Sequence, residues 1–361
     1  MAIKHLGAKR VQGTEAERTE TSLPAGTVTG WKLVDRTSLS SAADDVHVAS
    51  LANKRYYMTL THLLDNGSAI DAYFRFNDDT NNNYYNRQMQ RGGADSTNST
   101  DGMTLTGGNA SDIFGVQYIS NKADKQKLMI NPATFYGNGA VSNTAPDKHE
   151  TAGLWNESSN AINKITVHNY SACSYDTNSE VVVLGYDPTD TGTNDFWTEI
   201  TPQGGVKLSS AGDTLTTGTI ASYKYLWLQA YVENSNNVAY NVRFNGVAGS
   251  DYTQRYNVNG GADPTPITGS DAIFGLLTSA GSSSVGHPMF LNMFIVNVAG
   301  KEKLVIGHSV GGSAGAGNAP DRMDTAGKWN NTDAITQIDI VNDIGSADYT
   351  TSSVLKVWGA N

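Results

Sequence analysis

Cysteine is almost absent from this chain. Cys173 is the only one in 361 residues, which excludes an intrachain disulfide and a thiolate metal cluster. Its expected place is that of a small buried or half-buried side chain. Charge is scarce too, at 17% Asp, Glu, Lys and Arg, where globular chains carry about a quarter. The net charge is −10, and nucleic-acid binding needs clustered Lys and Arg to neutralise phosphates, so that partner is excluded. No apolar run is long enough to span a bilayer as a helix, and the opening Met-Ala-Ile-Lys-His-Leu-Gly has no apolar signal region. Synthesis in a cytoplasm without export by the usual route is the expectation. The 7 histidines form no His-X-X-X-His or His-Glu-X-X-His motif, and Gly-X-Ser-X-Gly and phosphate-loop motifs are missing. No cofactor, metal or nucleophilic centre is therefore expected. Paired carboxylates, whose spacing is spatial rather than sequential, are the one enzymatic route left open.

What the chain does have is aromatics and glycine. With 17 Tyr, 9 Phe, 6 Trp and 37 Gly, it has too many aromatics for a disordered chain and suits β-structure with many turns. It also carries one stretch twice. Ala145-Pro-Asp-Lys-His-Glu-Thr-Ala-Gly-Leu-Trp-Asn156 returns as Ala319-Pro-Asp-Arg-Met-Asp-Thr-Ala-Gly-Lys-Trp-Asn330, 174 positions later. A period of this length is that of a domain, not of a solenoid repeat.

The duplication extends in both directions. Trp31 corresponds to Trp197, Arg75-Phe-Asn77 to Arg243-Phe-Asn245, and Arg87 to Arg255. Gly92-Gly-Ala-Asp95 returns as Gly260-Gly-Ala-Asp263, and Lys127-Leu-Met-Ile130 as Lys303-Leu-Val-Ile306. Lys54-Arg-Tyr-Tyr-Met-Thr-Leu60 faces Tyr223-Lys-Tyr-Leu-Trp-Leu228 at an approximate register. A change of offset from 168 to 176 places an insertion of about eight residues at Ser279–Pro288. The expected organisation is an arm over 1–30, one copy over 31–187, a linker over 188–194 and a second copy over 195–361.

Within each copy the hydrophobic period is two: Phe74 and Phe76 point one way and Tyr73 and Arg75 the other, and Val242 and Phe244 repeat the pattern. Around 150–165 at most one helical turn is expected. The fold class is all-β: two tandem, homologous, jelly-roll-like β-sandwich domains, with eight strands each fitting the length best, behind an extended N-terminal arm.

Candidate functional residues follow from the repeats. Asp147 with Trp155, and Asp321 with Trp329, are expected either to latch a long loop onto each sandwich or to line a sugar site. Arg75, Arg87 and Asp95, with Arg243, Arg255 and Asp263, are expected to form ion pairs that fix sheet register. Asp78-Asp-Thr-Asn-Asn-Asn83 has the composition of a calcium loop without its spacing, and reads as a solvated turn. Lys4, Lys9 and Arg10 precede any acidic residue and suit docking on an acidic protein surface.

Lys301-Glu-Lys-Leu-Val-Ile-Gly-His308, Asn318-Ala-Pro-Asp-Arg322, Ala326-Gly-Lys-Trp329 and the closing Val357-Trp-Gly-Ala360 resemble a module common in structural proteins of tailed viruses of bacteria and archaea. The leader Leu6-Gly-Ala-Lys-Arg-Val-Gln-Gly13 looks like the start of many such proteins. The first copy departs from the pattern at Leu184-Gly-Tyr186. The resemblance implies a non-enzymatic virion protein exposed on the particle, as capsid decoration or fibre, docked by its arm and oligomeric. Other virion proteins would be its partners, and a host-surface glycan a further one. The alternatives are a carbohydrate-binding host-recognition protein and a double-jelly-roll shell subunit.

Overall fold

A computed structural model of the chain describes residues 30–361 apart from 109, 138–143, 188–195, 203, 235–237, 262–265, 277–287, 312–318 and 343–347. The arm with Lys4, Lys9 and Arg10, the linker, the insertion loop and Asp263 lie outside or almost outside the described residues. The described residues form 25 strands and no helix.

The first copy contains β1 (Lys32–Ser38), β2 (Asp45–Val48), β3 (Tyr56–Leu63), β4 (Ala72–Phe76), β5 (Tyr84–Gln90), β6 (Ser96–Thr100), β7 (Met103–Thr104), β8 (Ala110–Ser120), β9 (Lys127–Gly137), β10 (Asp147–Trp155), β11 (Ile165–Asn169) and β12 (Glu180–Tyr186). The second contains β13 (Thr198–Glu199), β14 (Val206–Lys207), β15 (Thr214–Thr216), β16 (Tyr225–Val232), β17 (Tyr240–Phe244), β18 (Tyr252–Val258), β19 (Ile267–Ser270), β20 (Ile273–Leu276), β21 (Met289–Val296), β22 (Lys303–Gly311), β23 (Asp321–Trp329), β24 (Ile338–Val341) and β25 (Val354–Ala360).

Each copy is an antiparallel sandwich of unequal sheets. The large sheet of the first runs β1-β12-β3-β8-β9-β10-β5-β6 and its small sheet β2-β11-β4-β7; the second copy repeats both orders from β13-β25-β16 and β15-β24-β17 onwards. Short edge strands enlarge the large sheet beyond the expected eight-stranded sandwich. Phe74, Phe76, Ile165 and Val167 fill the first core, and Val242, Phe244, Ile338 and Ile340 the second. Phe74, Phe76, Val242 and Phe244 are the inward residues predicted from the period-two pattern.

The Ala-Pro-Asp…Trp-Asn stretch is a strand in the middle of each large sheet, β10 or β23, and not a latched loop or helical turn. Its tryptophan anchors an aromatic triad: Trp155 lies 6.1 Å from Tyr84 and 5.5 Å from Phe76, and Trp329 6.3 Å from Tyr252 and 5.6 Å from Phe244. The loop latch belongs to another repeated residue. Asn77 and Asn245 sit at φ 54° and 53°, a left-handed conformation that Asn tolerates well. Asn77 Oδ1 accepts from the backbone of Asn163 at 2.8 Å, and Asn245 Oδ1 from Thr336 at 2.8 Å, tying each turn to the loop that enters β11 or β24.

Strand pairing fixes the equivalence of β3 and β16. Val183 pairs with Thr59, and the equivalent Val357 pairs with Leu228, so Leu228 corresponds to Thr59. Tyr225 and Trp227, equivalent to Tyr56 and Met58, face away from their own core and pack at the contact with the other copy.

Candidate ligand site at the junction of the two copies

The two large sheets pack on each other. Met58, Leu60, Phe114, Val116, Val182 and Leu184 of the first copy form one buried cluster with Trp197, Tyr225, Phe294, Leu304 and Ile306 of the second. Sheets with both faces apolar need cover on both sides, and here each copy covers the other.

Polar contacts frame this layer. Tyr225 Oη and Lys224 Nζ donate to Glu180 Oε2 at 2.7 and 2.6 Å, and Ser38 Oγ donates to Glu180 Oε1 at 2.6 Å. Burial would raise the Glu180 carboxyl, but the hydrogen bonds from Lys224 and Ser38 overcome it and hold it below the usual range. Beside it His62 is buried, and burial with the nearby Lys224 ammonium lowers its pKa to about 3, so its ring is neutral. Lys328 Nζ lies 5.0 Å from the Tyr136 ring and Lys301 pairs with Asp112 at 3.5 Å, both across the junction.

At the edge of the buried layer the equivalent carboxylates Glu150 and Asp324 meet beside His308, with one ligating atom of each within 4.8 Å of the others. This set could offer three ligands to a metal ion. Lys148 is already there, however, with its ammonium 3.6 Å from Glu150. Burial lowers the His308 pKa, with Lys148 and Arg322 adding to it and the two carboxylates opposing. The charges compensate internally.

Beyond this point the outer face of the first large sheet is uncovered. Strand register aligns Met58, Tyr118, Ile130, Ala152 and Arg87 in one row across β3, β8, β9, β10 and β5. The adjacent row is Tyr186, Tyr56, Ser120, Leu128, Leu154 and Tyr85. Ile130 is 65% exposed and Leu128 54%, the two most exposed large apolar side chains among the described residues. Two adjoining hollows follow these rows. One, of about 410 Å³, is walled by Trp31, Tyr56, Tyr118, Leu128, Ile130 and Tyr186. The other, of about 440 Å³, shares Tyr118 and Ile130 and continues to Arg87, Asp95, Glu150 and His308. Tyr56 and Tyr186 face each other at 6.5 Å, and Trp31 meets Tyr186 edge-on at 6.1 Å. Burial pushes the Tyr118 hydroxyl up to about 12, so it remains a donor.

The sequence candidates are placed differently from expectation. Trp155 and Trp329 are buried at 2% and 0% exposure and present no ring face to a sugar. Trp155 Nε1 donates to Asp79 Oδ2 at 2.8 Å, so the Asp-Asn turn serves the core tryptophan. Asp147 is buried and pairs with Arg91 of its own copy and with Arg255 of the other at 3.5 Å. Asp321 accepts from Asn259 Nδ2 at 2.8 Å.

Arg75 and Arg243 make equivalent ion pairs, but with Asp101 and Asp271 in place of the expected Gly-Gly-Ala-Asp carboxylates. Arg87 reaches its expected partner, Asp95, at 3.4 Å, and both side chains are exposed, so this pair contributes little to stability; Asp263 lies outside the described residues. Arg255 pairs across the copy interface with Asp147.

The aromatic rows escaped the sequence reading. Their signal was present in Lys127-Leu-Met-Ile130, where Met129 faces inwards and Leu128 and Ile130 outwards. A strand apolar on both faces announces a second surface to be covered.

No family model matches the chain, and no curated protein does. Among solved structures, domains LG4-5 of the mouse laminin alpha1 chain align over 93% of this chain and 92% of theirs, at 12% identity and a TM-score of 0.17. Human GIVD cytosolic phospholipase A2 aligns over 79% of this chain and 33% of its own, at 10% identity and a TM-score of 0.12. Neither is a shared fold at such scores.

Proposed function

We propose that the chain is a non-enzymatic structural protein of a virion, exposed at the particle surface as a decoration or fibre-type component and docked through residues 1–30. The motif resemblance supplies the viral assignment. The observation that supports a scaffold role is the shared cluster that joins the two sandwiches into one body. A fused pair holds its two outer surfaces in fixed relation, which suits a symmetric particle and converts weak contacts into avidity. The titratable groups at the junction are engaged with each other: Glu180 with Lys224 and Tyr225, and Glu150 with Lys148.

The test is on particles assembled with the full chain and with a variant lacking residues 1–20. Quantitative mass spectrometry of purified particles should find the full chain at a fixed ratio to the shell protein. The truncated chain should be folded, by its circular dichroism and melting, yet absent from particles. Loss of the full chain on particle purification would overturn the virion role, and normal incorporation of the truncation would overturn docking by the arm.

A further inference from the structure

We infer that the uncovered rows of the first large sheet form a binding groove for a neutral oligosaccharide. The groove crosses the strands from Tyr56 and Tyr186 past Tyr118 and Ile130 to Arg87 and Asp95. Four strand spacings separate β3 from β5, so it extends about 19 Å. That length takes several sugar rings and not one.

Its two ends differ in chemistry. The Tyr56–Tyr186 end is aromatic, with both rings more than a third exposed, and ring faces of this kind take the apolar face of a sugar. The Arg87–Asp95 end offers donors and acceptors side by side, both exposed, as ring hydroxyls require. A few polar groups set in an apolar cleft of several hundred Å³ is the usual make-up of a small-ligand site.

Charge selects the class of sugar. Arg87, among the described residues the one Arg or Lys lining the two hollows, is balanced by Asp95, and Glu150 by Lys148; Arg55 lies outside the lining, over the Tyr56 ring at 5.5 Å. The chain's net charge of −10 opposes acidic glycans as well. An extended peptide is disfavoured for a separate reason. Strands β8, β9 and β10 are interior to the sheet, with their backbone groups paired on both sides. A peptide backbone lying on them would find no ladder to join.

The equivalent rows of the second copy carry the contrast. There Tyr225, Phe294, Leu304 and Ile306 are spent on the interface. The first copy keeps Tyr56, Leu128 and Ile130 open at the same register, with Tyr118 partly buried against the shared cluster at the groove's wall. The groove is thus continuous with an established interface and is left free by the way the copies pack.

The isolated full chain would be screened on an array of neutral and acidic glycans, and the best binder measured by titration calorimetry. Neutral oligosaccharides should be retained over sialylated ones. Tyr56→Ala and Arg87→Ala, both at exposed side chains, should each weaken binding at least tenfold with unchanged melting, and Tyr231→Ala in the second copy should leave it unaltered. Retention of no neutral glycan, preference for acidic ones, unaltered affinity in both groove variants, or displacement of the glycan by an apolar peptide would overturn the proposal. Particle incorporation is measured separately, so the virion role and the groove can fail independently.

Discussion

The two copies solve the same core in opposite chemistries. In the first, Thr59, Thr61, Gln117 and Asn131 form a fully buried polar band. Thr59 Oγ1 donates to Gln117 Oε1 at 2.5 Å, Gln117 Nε2 to Asn131 Oδ1 at 2.9 Å, and Asn131 Nδ2 to the backbone of Leu105 at 3.1 Å. In the second copy strand register puts Leu228, Ala230, Met293 and Gly307 in the same places. The glycine moves with the bulk. Gly115 of the first copy makes room for Gln117, whose Nε2 would lie 2.3 Å from an added Cβ. Gly307 of the second admits Met293, 3.2 Å from a Cβ there. One backbone therefore tolerates either a closed hydrogen-bond network or an apolar filling, provided each is complete.

The largest effect is expected from mixing them. Met293→Gln places an amide in the apolar core with no partner and should destabilise by about 3 kcal/mol, read from urea denaturation. No loss would show that the second core can admit water or rearrange.

The converse, Gln117→Met, strands Thr59 and Asn131 and should lose about 2–3 kcal/mol. Exchanging all five positions (Thr59→Leu, Thr61→Ala, Gly115→Leu, Gln117→Met, Asn131→Gly) should return the chain to within about 1 kcal/mol of the original. If the exchange is worse than the single change, the copies differ in backbone as well as in side chains.

His149 against Met323 separates the copies by pH. His149 is buried in the first core, neither ring nitrogen has a hydrogen-bond partner, and burial lowers its pKa to about 4. A folded value below the ordinary 6.5 means the unfolded chain takes up the proton first. The stability is thus whole above 6.5 and is lost as pH falls towards 4. His149→Met should raise stability at pH 7 and remove about 2 kcal/mol of the loss between pH 7 and 4.5. Denaturation at the two pH values checks it; parallel losses in both proteins would place the acid sensitivity elsewhere, at His62 or Glu180.

The smallest effect tests a loss that one copy has already suffered. Asp79, which accepts the Trp155 indole proton, is Val247 in the second copy, where Trp329 Nε1 has no partner. Asp79→Ala should therefore be tolerated at a cost of about 1–2 kcal/mol. A larger change would mean that the turn itself, through Asn81 and Asn83, depends on the carboxylate.

Much of the fold was legible because its signals are local. Alternation placed Phe74 and Phe76 inwards, turn residues cut the strands, and the duplication marked the copies. The repeated tryptophans were legible as important but not in their role. A Trp beside an Asp reads alike as a sugar platform or a core anchor, and only burial separates the two. The Arg87–Asp95 pair was legible, but the partner of Arg75 was not, because an ion pair needs proximity across strands and Asp101 lies against Arg75. The groove escaped because it needs two facts at once: which face of β9 Ile130 occupies, and how far the other copy reaches.

By itself the sequence determined the all-β class, the doubling of the module and the inward face of the strands, since each rests on spacing along one chain. The tertiary structure decided which outward faces are used. Strand register gives Tyr225 and Tyr56 the same outward face, but Tyr225 is buried at the junction while the cover stops short of Tyr56, Leu128 and Ile130. Equivalent residues in two homologous domains thus came to lie, one set in a buried seam and the other in an open groove. Burial is set by what packs against a face, and no residue carries that information alone.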